Sequence, residues 1–333
     1  MIVEDTDPIK PGSSRYNFEL SKIGALRNVL SFSSELSNKG INNKLLNKLY
    51  RRKAFLNKHA SELGRVLHFT EPEIMFKSKQ LNGRKIVLTV HDLAVFGTTE
   101  YTNLYWRLRA AAFRRQFVYD TKRADLILVN SSQTKNELID RLGTDAGKIL
   151  VTNLGVSSDF KPLRRQVNRV IGYFGGFNPR KRVGRLIEEF RSSKFYRDYE
   201  LWLAGREDGE YSRLHRMYGN DSKIKFIGGV AEAKLPSLIC SFKYLVIPSK
   251  YEGFGLPIIE SVACGVPTFI YRDAAIPEEV AHYSEKISSL EDIDRIDYSE
   301  LRGRFLRKSK RVREEFSWER LRTLTLKAYK TLL

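Results

Sequence analysis

Cysteine is nearly absent from this sequence: there are two in 333 residues, Cys240 and Cys264. They have no metal-ligand spacing, and both fall in apolar segments. A disulfide scaffold and a zinc site are therefore not expected; reduced core thiols in a cytoplasmic protein are. Long apolar runs are also missing. None approaches the roughly 18 residues that a membrane-spanning helix needs. The opening MIVEDTDPIK has no apolar core, so no signal peptide is expected. Negative charge is scarce, with 58 Lys and Arg against 39 Asp and Glu, a net charge of +19. The excess is +9 up to residue 160 and +10 beyond it, so it is not confined to one tail. Such a balance suits an anionic partner: a phosphate-bearing substrate, a membrane surface or a nucleic acid. It also suits a highly charged surface adapted to heat. No helix-turn-helix, zinc-finger or RNA-recognition motif supports the nucleic-acid reading. What remains is 42% hydrophobic, the composition of a folded chain long enough for two domains.

The most informative stretch is 243–267, KYLVIPSKYEGFGLPIIESVACGVP. Tyr244 to Ile247 is a short apolar run with the pattern of a buried parallel strand. Pro248 and Ser249 end it. Glu252-Gly253-Phe254-Gly255 then forms a glycine-flanked loop, and Pro257 stands where a helix would begin. That helix is expected over Ile258–Ala263, stopped by Gly265. A strand, a glycine loop and a helix N-terminus converge on one spot for an anion. Glu252 on the loop and Glu260 in the helix suit sugar or ribose hydroxyls. An ordinary strand–loop–helix with solvated acids fits the same residues.

EGFGLPIIESVACGVP closely resembles the E-x7-E signature of the family-4 retaining glycosyltransferases, which have the GT-B fold. Other blocks follow in that family's order, from about Gly12 to Trp318. Gly12-Ser13-Ser14-Arg15-Tyr16 resembles its first loop, G-G-x-G-R-Y, with one glycine kept. Ile86 to Val90 reads as a strand leading into His91-Asp92-Leu93, similar to the family's H-D-L block. His68 matches a further family position. Asn178-Pro179-Arg180-Lys181 resembles G-R-x-x-P-x-K-G; Lys181 matches the lysine, and the family arginine falls on Gly176. Arg180 or Arg182 could replace its charge. Ile276-Pro277-Glu278-Glu279 resembles the family's I-P-E-V close.

Between these blocks the patterns alternate strand and helix twice over. Leu20, Ile23, Leu26 and Leu30 recur at helical spacing. Arg65–Phe69, 124–132 and Lys148–Val156 read as strands or strand–helix joints, with Ser131 or Ser132 capping a helix. Residues 41–63 and 105–123 read as basic amphipathic helices, with Trp106, Phe113 and Phe117 among the arginines of the second. Each suits an anionic membrane surface or a sheet-packed helix with one solvated face. Val170–Phe174 opens a second strand–glycine–helix unit, its helix running from Val183. Leu201–Gly205 and Ile224–Gly228 are further strands ending in glycine. Phe316–Arg320 begins a last helix.

The expected fold is α/β: two Rossmann-like domains with parallel sheets facing across a cleft, over 1–157 and 169–316, with 317–333 packing back on the first. The resemblance implies a retaining glycosyltransferase that moves a sugar from a nucleoside-diphosphate sugar to an acceptor hydroxyl. It implies His91, Glu252 and Lys181 as catalytic, and Gly12, Ser13, Arg180, Gly229, Val230, Phe254, Gly255, Leu256 and Glu260 as donor-binding. No metal or other cofactor is expected. A lipid-linked acceptor, with contact at the inner face of a membrane, fits the basic helices; a protein or saccharide acceptor also fits. A phosphorylase-like enzyme of the same fold, or a nucleic-acid-binding protein, remains as the alternative.

Overall fold

The computed structural model describes residues 2–3, 13–24, 30–31, 57–72, 81–97, 104–164 and 167–333. The chain divides into two compact units. One comprises residues 1–153 with 319–333, the other 154–318. Each is built on a wholly parallel sheet. Each unit is thus an α/β layer of the Rossmann-like kind that the sequence leads one to expect.

The first unit contains β1 (Ile2–Val3), α1 (Ser13–Ser21), β2 (Leu30–Ser31), β3 (Val66–Phe69), β4 (Lys85–Val90), α2 (Leu104–Arg123), β5 (Leu126–Val129), α3 (Ser132–Leu142) and β6 (Ile149–Val151). Its strand order is β2-β1-β3-β4-β5-β6. Successive side chains of a strand point to opposite faces, and both faces here are covered. Ile86, Leu88 and Val90 join the larger core with Ile127, Val129, Phe117 and Leu138. Val87 and Leu128, one position out of phase, pack on the other face against Ala328 and Tyr329 of the C-terminal segment. Ser131 is the cap of α3: its Oγ accepts from the Thr134 N–H at 3.1 Å.

One expectation fails here. The helical spacing through Leu30 does not make a helix of that length. α1 ends at Ser21, Ile23 closes a turn by donating to the Leu20 carbonyl, and Leu30 belongs to β2. Gly24 follows that turn, and a glycine there weakens any continuation. The basic stretch 41–63 lies mostly outside the described residues, as do the side chains of 104–109.

The second unit contains β7 (Val170–Phe174), α4 (Val183–Ser192), β8 (Glu200–Ala204), α5 (Gly209–Tyr218), β9 (Ile224–Gly228), α6 (Leu235–Ser241), β10 (Tyr244–Ile247), α7 (Leu256–Ala263), β11 (Thr268–Tyr271), β12 (Glu285–Ile287) and α8 (Tyr298–Glu315). The order is β12-β11-β10-β7-β8-β9. The chain winds outward from β7 through β8 to β9, then returns to β10 and winds the other way. Its direction therefore reverses between β7 and β10. A crevice opens at such a reversal, outside the carboxyl ends of the strands. α8 was not anticipated. Its buried residues, Leu301, Phe305, Ser309 and Val312, do follow a helical rhythm, but the helix's seven cations mask it. The last helix, α9 (Trp318–Lys330), lies with the first unit from Glu319 onward. Among the described residues no helix is long and apolar enough to cross a membrane.

Candidate active site

The loops after β7 and β10 carry the charged residues singled out above. After β7, a single 3-10 turn, Pro179–Lys181, delivers Lys181. After β10, the Lys250 N–H donates to the Arg180 carbonyl at 2.8 Å, and the Glu252 N–H donates to Ala275 at 2.9 Å. Backbone bonds therefore fix both loops before any side chain contributes. Lys181 Nζ then donates to both carboxylate oxygens of Glu252, at 2.5 and 2.7 Å. Ser249 Oγ donates to the same carboxylate at 2.6 Å. Arg180 donates to the Tyr251 carbonyl at 2.8 Å and stands 3.7 Å from Glu252.

The Lys181 and Glu252 side chains are only 11% and 7% exposed. Burial by itself would lift the Glu252 pKa. The Lys181 and Arg180 charges and the bonds from Lys181 and Ser249 outweigh it and hold the carboxyl below its ordinary value. Removing one partner of such a buried pair leaves the other charge uncompensated.

Arg182, unplaced by the sequence, has a structural seat. It is the one non-glycine with positive φ among the described residues, at 50°. That is a left-handed conformation more usual for glycine. Its guanidinium donates to Pro248 O at 2.8 Å and Ser249 O at 3.3 Å, and to both oxygens of Asp273 at 2.5 and 2.9 Å. Arg182 thus ties the Lys181 loop to the Glu252 loop, and its charge is met by Asp273. Arg180 is the arginine that sits beside the buried pair.

α7 begins beside the same loop. Gly255 has φ 104°, and a Cβ there would lie 3.1 Å from Ile258, so the turn into the helix needs glycine. Pro257 has no N–H, and the N–H groups of Gly255 and Leu256 have no partner among the described residues. Phe254 is buried edge-on against Phe316, 5.6 Å between ring centres. Glu260 lies within α7 and is 1% exposed. Gly229 and Val230 follow β9, with open space where a Gly229 side chain would be. Gly12 lies outside the described residues, and Ser13 starts α1.

The first unit brings other residues together. His91 follows β4, half-buried, with its ring edge-on to Tyr16 at 5.0 Å. Its Nε2 is buried and has no hydrogen-bond partner among the described residues. Burial lowers its pKa, while the Asp92 charge and a bond to the Thr70 backbone oppose that shift. Beneath it runs a buried chain of neutral groups. Tyr16 OH meets Thr89 Oγ1 at 2.9 Å, Thr89 Oγ1 meets His68 Nε2 at 2.7 Å, and His68 Nδ1 meets Tyr329 OH at 2.5 Å. Burial holds the His68 pKa down to about 3, so the ring is neutral near pH 7. The chain is possible because Thr89 shares the sheet face of Val87, which α9 covers.

Sequence reasoning did not find Ser249, Asp273 or Thr89 as parts of these clusters. Thr89 alone carried a signal, as a polar residue between Leu88 and Val90 in a buried strand.

Known proteins resemble this chain along most of its length. The family model "Glycosyl transferases group 1" matches residues 157–301, and "Glycosyltransferase Family 4" matches 42–160. The O-antigen chain mannosyltransferase B of Escherichia coli is 29% identical over 273 residues, 74% of this chain and 71% of that protein. An MMP alpha-(1->4)-mannosyltransferase of Mycolicibacterium hassiacum is 27% identical over 218 residues, 61% of this chain and 53% of that protein. Among solved structures, the sucrose-phosphate synthase of Thermosynechococcus elongatus aligns with a TM-score of 0.78 at 19% identity, covering 99% of this chain and 98% of that one. HepE of Anabaena, in complex with UDP and glucose, aligns at 0.74 and 16%, covering 99% of both chains.

Proposed function

The chain is a glycosyltransferase of the GT-B fold, and from that premise we propose that it transfers a hexosyl group from a nucleoside-diphosphate sugar to an acceptor hydroxyl with retention of configuration. The observation that carries the donor assignment is the buried Lys181–Glu252 pair, with Arg180 beside it, where the chain reverses between β7 and β10. In the reaction, the bond from the anomeric carbon to the diphosphate oxygen breaks and a bond to the acceptor oxygen forms. The acceptor proton leaves with the departing phosphate. Negative charge grows on the phosphate oxygens and positive charge on an oxocarbenium-like sugar. Lys181 and Arg180 meet the first of these, with the free N–H groups of Gly255 and Leu256 at the positive end of α7. When phosphate engages Lys181, Glu252 becomes available to the sugar hydroxyls. Glu260 serves the ribose hydroxyls, and neutral His91 serves the donor sugar through its unpartnered Nε2. HepE, solved with UDP and glucose, supports a nucleotide-sugar donor.

The reaction runs without metal, its charge carried by Lys181 and Arg180. The acceptor is a lipid-linked saccharide reached at the inner face of a membrane, with the chain in the cytoplasm; the O-antigen relative supports this reading. The test is nucleoside diphosphate release from a panel of nucleotide sugars, with NMR of the product's anomeric centre. Lys181→Ala and Glu260→Ala should each lose activity with the fold intact by circular dichroism. Full activity in both, or an inverted product, overturns the assignment.

A further inference from the structure

From the Lys181–Glu252 pair the strand ends run in two directions, and the two are lined differently. Toward β11 the space is filled by the Arg182 guanidinium, its bonds to Pro248 and Ser249, and Asp273. Toward β8 and β9 a glycine stands at the end of each of three neighbouring strands: Gly175 just after β7, Gly205 just after β8 and Gly228 as the last residue of β9. The ladder continues through this row. Gly175 N–H donates to Ala204 O at 3.0 Å, and Gly205 N–H donates to Gly228 O at 2.9 Å. A Cβ on Gly205 would lie 1.7 Å from the Gly175 carbonyl oxygen, so the middle of the row admits only glycine, with the Tyr173 hydroxyl and the Phe177 ring bordering it. With strands about 4.8 Å apart, the row reaches roughly 10 Å from the end of β7. That is the order of the span from a nucleotide's diphosphate to its base.

At the far end of the row stands Glu207. It is exposed, and its carboxylate folds over the β9 terminus, so a Cβ on Gly228 would lie 2.5 Å from its Oε1. Its carboxylate has no hydrogen bond or ion pair among the described residues, in a chain with 58 basic residues to pair with. It is not the cap of α5; Asp208 does that.

We propose that the glycine row seats the nucleobase of the donor and that Glu207 selects guanine. This rests on the donor-site reading above and deepens it. Guanine offers two adjacent donors, N1–H and the 2-amino group, which one carboxylate accepts side by side. Uracil offers a single N–H flanked by two carbonyl oxygens that a carboxylate repels. Adenine and cytosine place their amino group next to an acceptor nitrogen. A paired polar contact of this kind discriminates strongly, because the wrong base leaves the acid facing an acceptor.

Titration calorimetry of the whole chain with GDP, IDP, UDP and ADP tests the assignment. GDP should bind on the order of ten- to a hundredfold more tightly than UDP or ADP. IDP, which keeps N1–H and lacks the 2-amino group, should fall between. Glu207→Gln should remove most of the GDP preference, by weakening GDP and, with the repulsion of the uracil carbonyls gone, tightening UDP, with an unaltered melting temperature because the side chain is exposed and unpartnered among the described residues. Tighter binding of UDP or ADP, or Glu207→Gln binding GDP like the parent, overturns the guanine assignment while leaving the donor site standing. If none of the four binds, the donor-site reading falls, and this inference falls with it.

Discussion

The two units share a parallel sheet, but their polar clusters are opposite in kind. In the second, a lysine and a glutamate meet at 2.5 Å, braced by arginines on either side. In the first, a tyrosine, a threonine, a histidine and a second tyrosine are joined hydroxyl to ring, with no charge. The difference follows from position. The charged pair lies on loops beyond the strand ends, where a bound anion can replace one partner. The neutral chain lies on a sheet face sealed by α9, where an ion would bear the full cost of desolvation. Under the proposed function the second unit handles the charge that develops in transfer, and the first holds a neutral imidazole, His91, by packing.

The largest effect should come from breaking the charged pair. Lys181→Met should reduce activity by roughly two to three orders of magnitude, the scale for losing one group that stabilises developing charge. It should also cost about 3 kcal/mol, because buried Glu252 loses its nearest counter-charge and keeps Arg180 at 3.7 Å and the Ser249 bond. Adding Glu252→Gln should recover most of that stability and none of the activity. Thermal melts and product-release assays on the two variants separate the roles. A double variant as unstable as the single one would mean the pair is not the source of the loss.

Acid should distinguish the units next. Unfolded histidine takes its proton near pH 6.5, whereas folded His68 resists until about 3. The unfolded chain therefore binds more protons through that window, and the first unit loses stability as pH falls below about 6.5. His91, also depressed, adds in the same direction. Glu252 behaves differently: its folded pKa lies below the ordinary value, so its contribution is present above that value and is lost only as pH falls through the folded one. Hydrogen exchange at pH 7, 5.5 and 4.5 should show β3 and β4 opening before β7 and β10. His68→Gln should flatten the pH response of the first unit; an unchanged slope would place the effect elsewhere.

Much of this could be read from the residues, and the failures have physical causes. Strands such as Tyr244–Ile247 announce themselves because both faces are buried, giving an unbroken apolar run. Lys181 and Glu252 were each singled out, on loops whose strand and glycine patterns are plain. Their pairing was not legible: 71 positions separate them, and only the reversal of strand order makes their loops neighbours. Arg182 was visible only as a cation of no fixed role. Nothing in its type indicates a left-handed backbone, which its packing against Pro248, Ser249 and Asp273 enforces. α8 was missed because its surface cations hide a buried stripe of four residues.

The smallest effect concerns that arginine. Its φ of 50° is unfavourable for any residue with a Cβ, by roughly 1–2 kcal/mol. Its bonds to two carbonyls offset this; the link to Asp273, whose side chain is 57% exposed, adds at most about 1 kcal/mol. Arg182→Gly removes the bonds and the strain together, so it should leave stability within about 1 kcal/mol of the parent. Arg182→Met removes the bonds and keeps the strain. It should therefore melt a few degrees below Arg182→Gly, at roughly 2–4 °C per kcal/mol for a unit of this size. Both should lose activity alike, since in both the Lys181 loop is no longer held to Pro248 and Ser249. Equal melting of the two variants would show that the left-handed turn carries no strain. Full activity in Arg182→Gly would show that the backbone bonds from Lys250 and Glu252 hold the pair in register without the arginine.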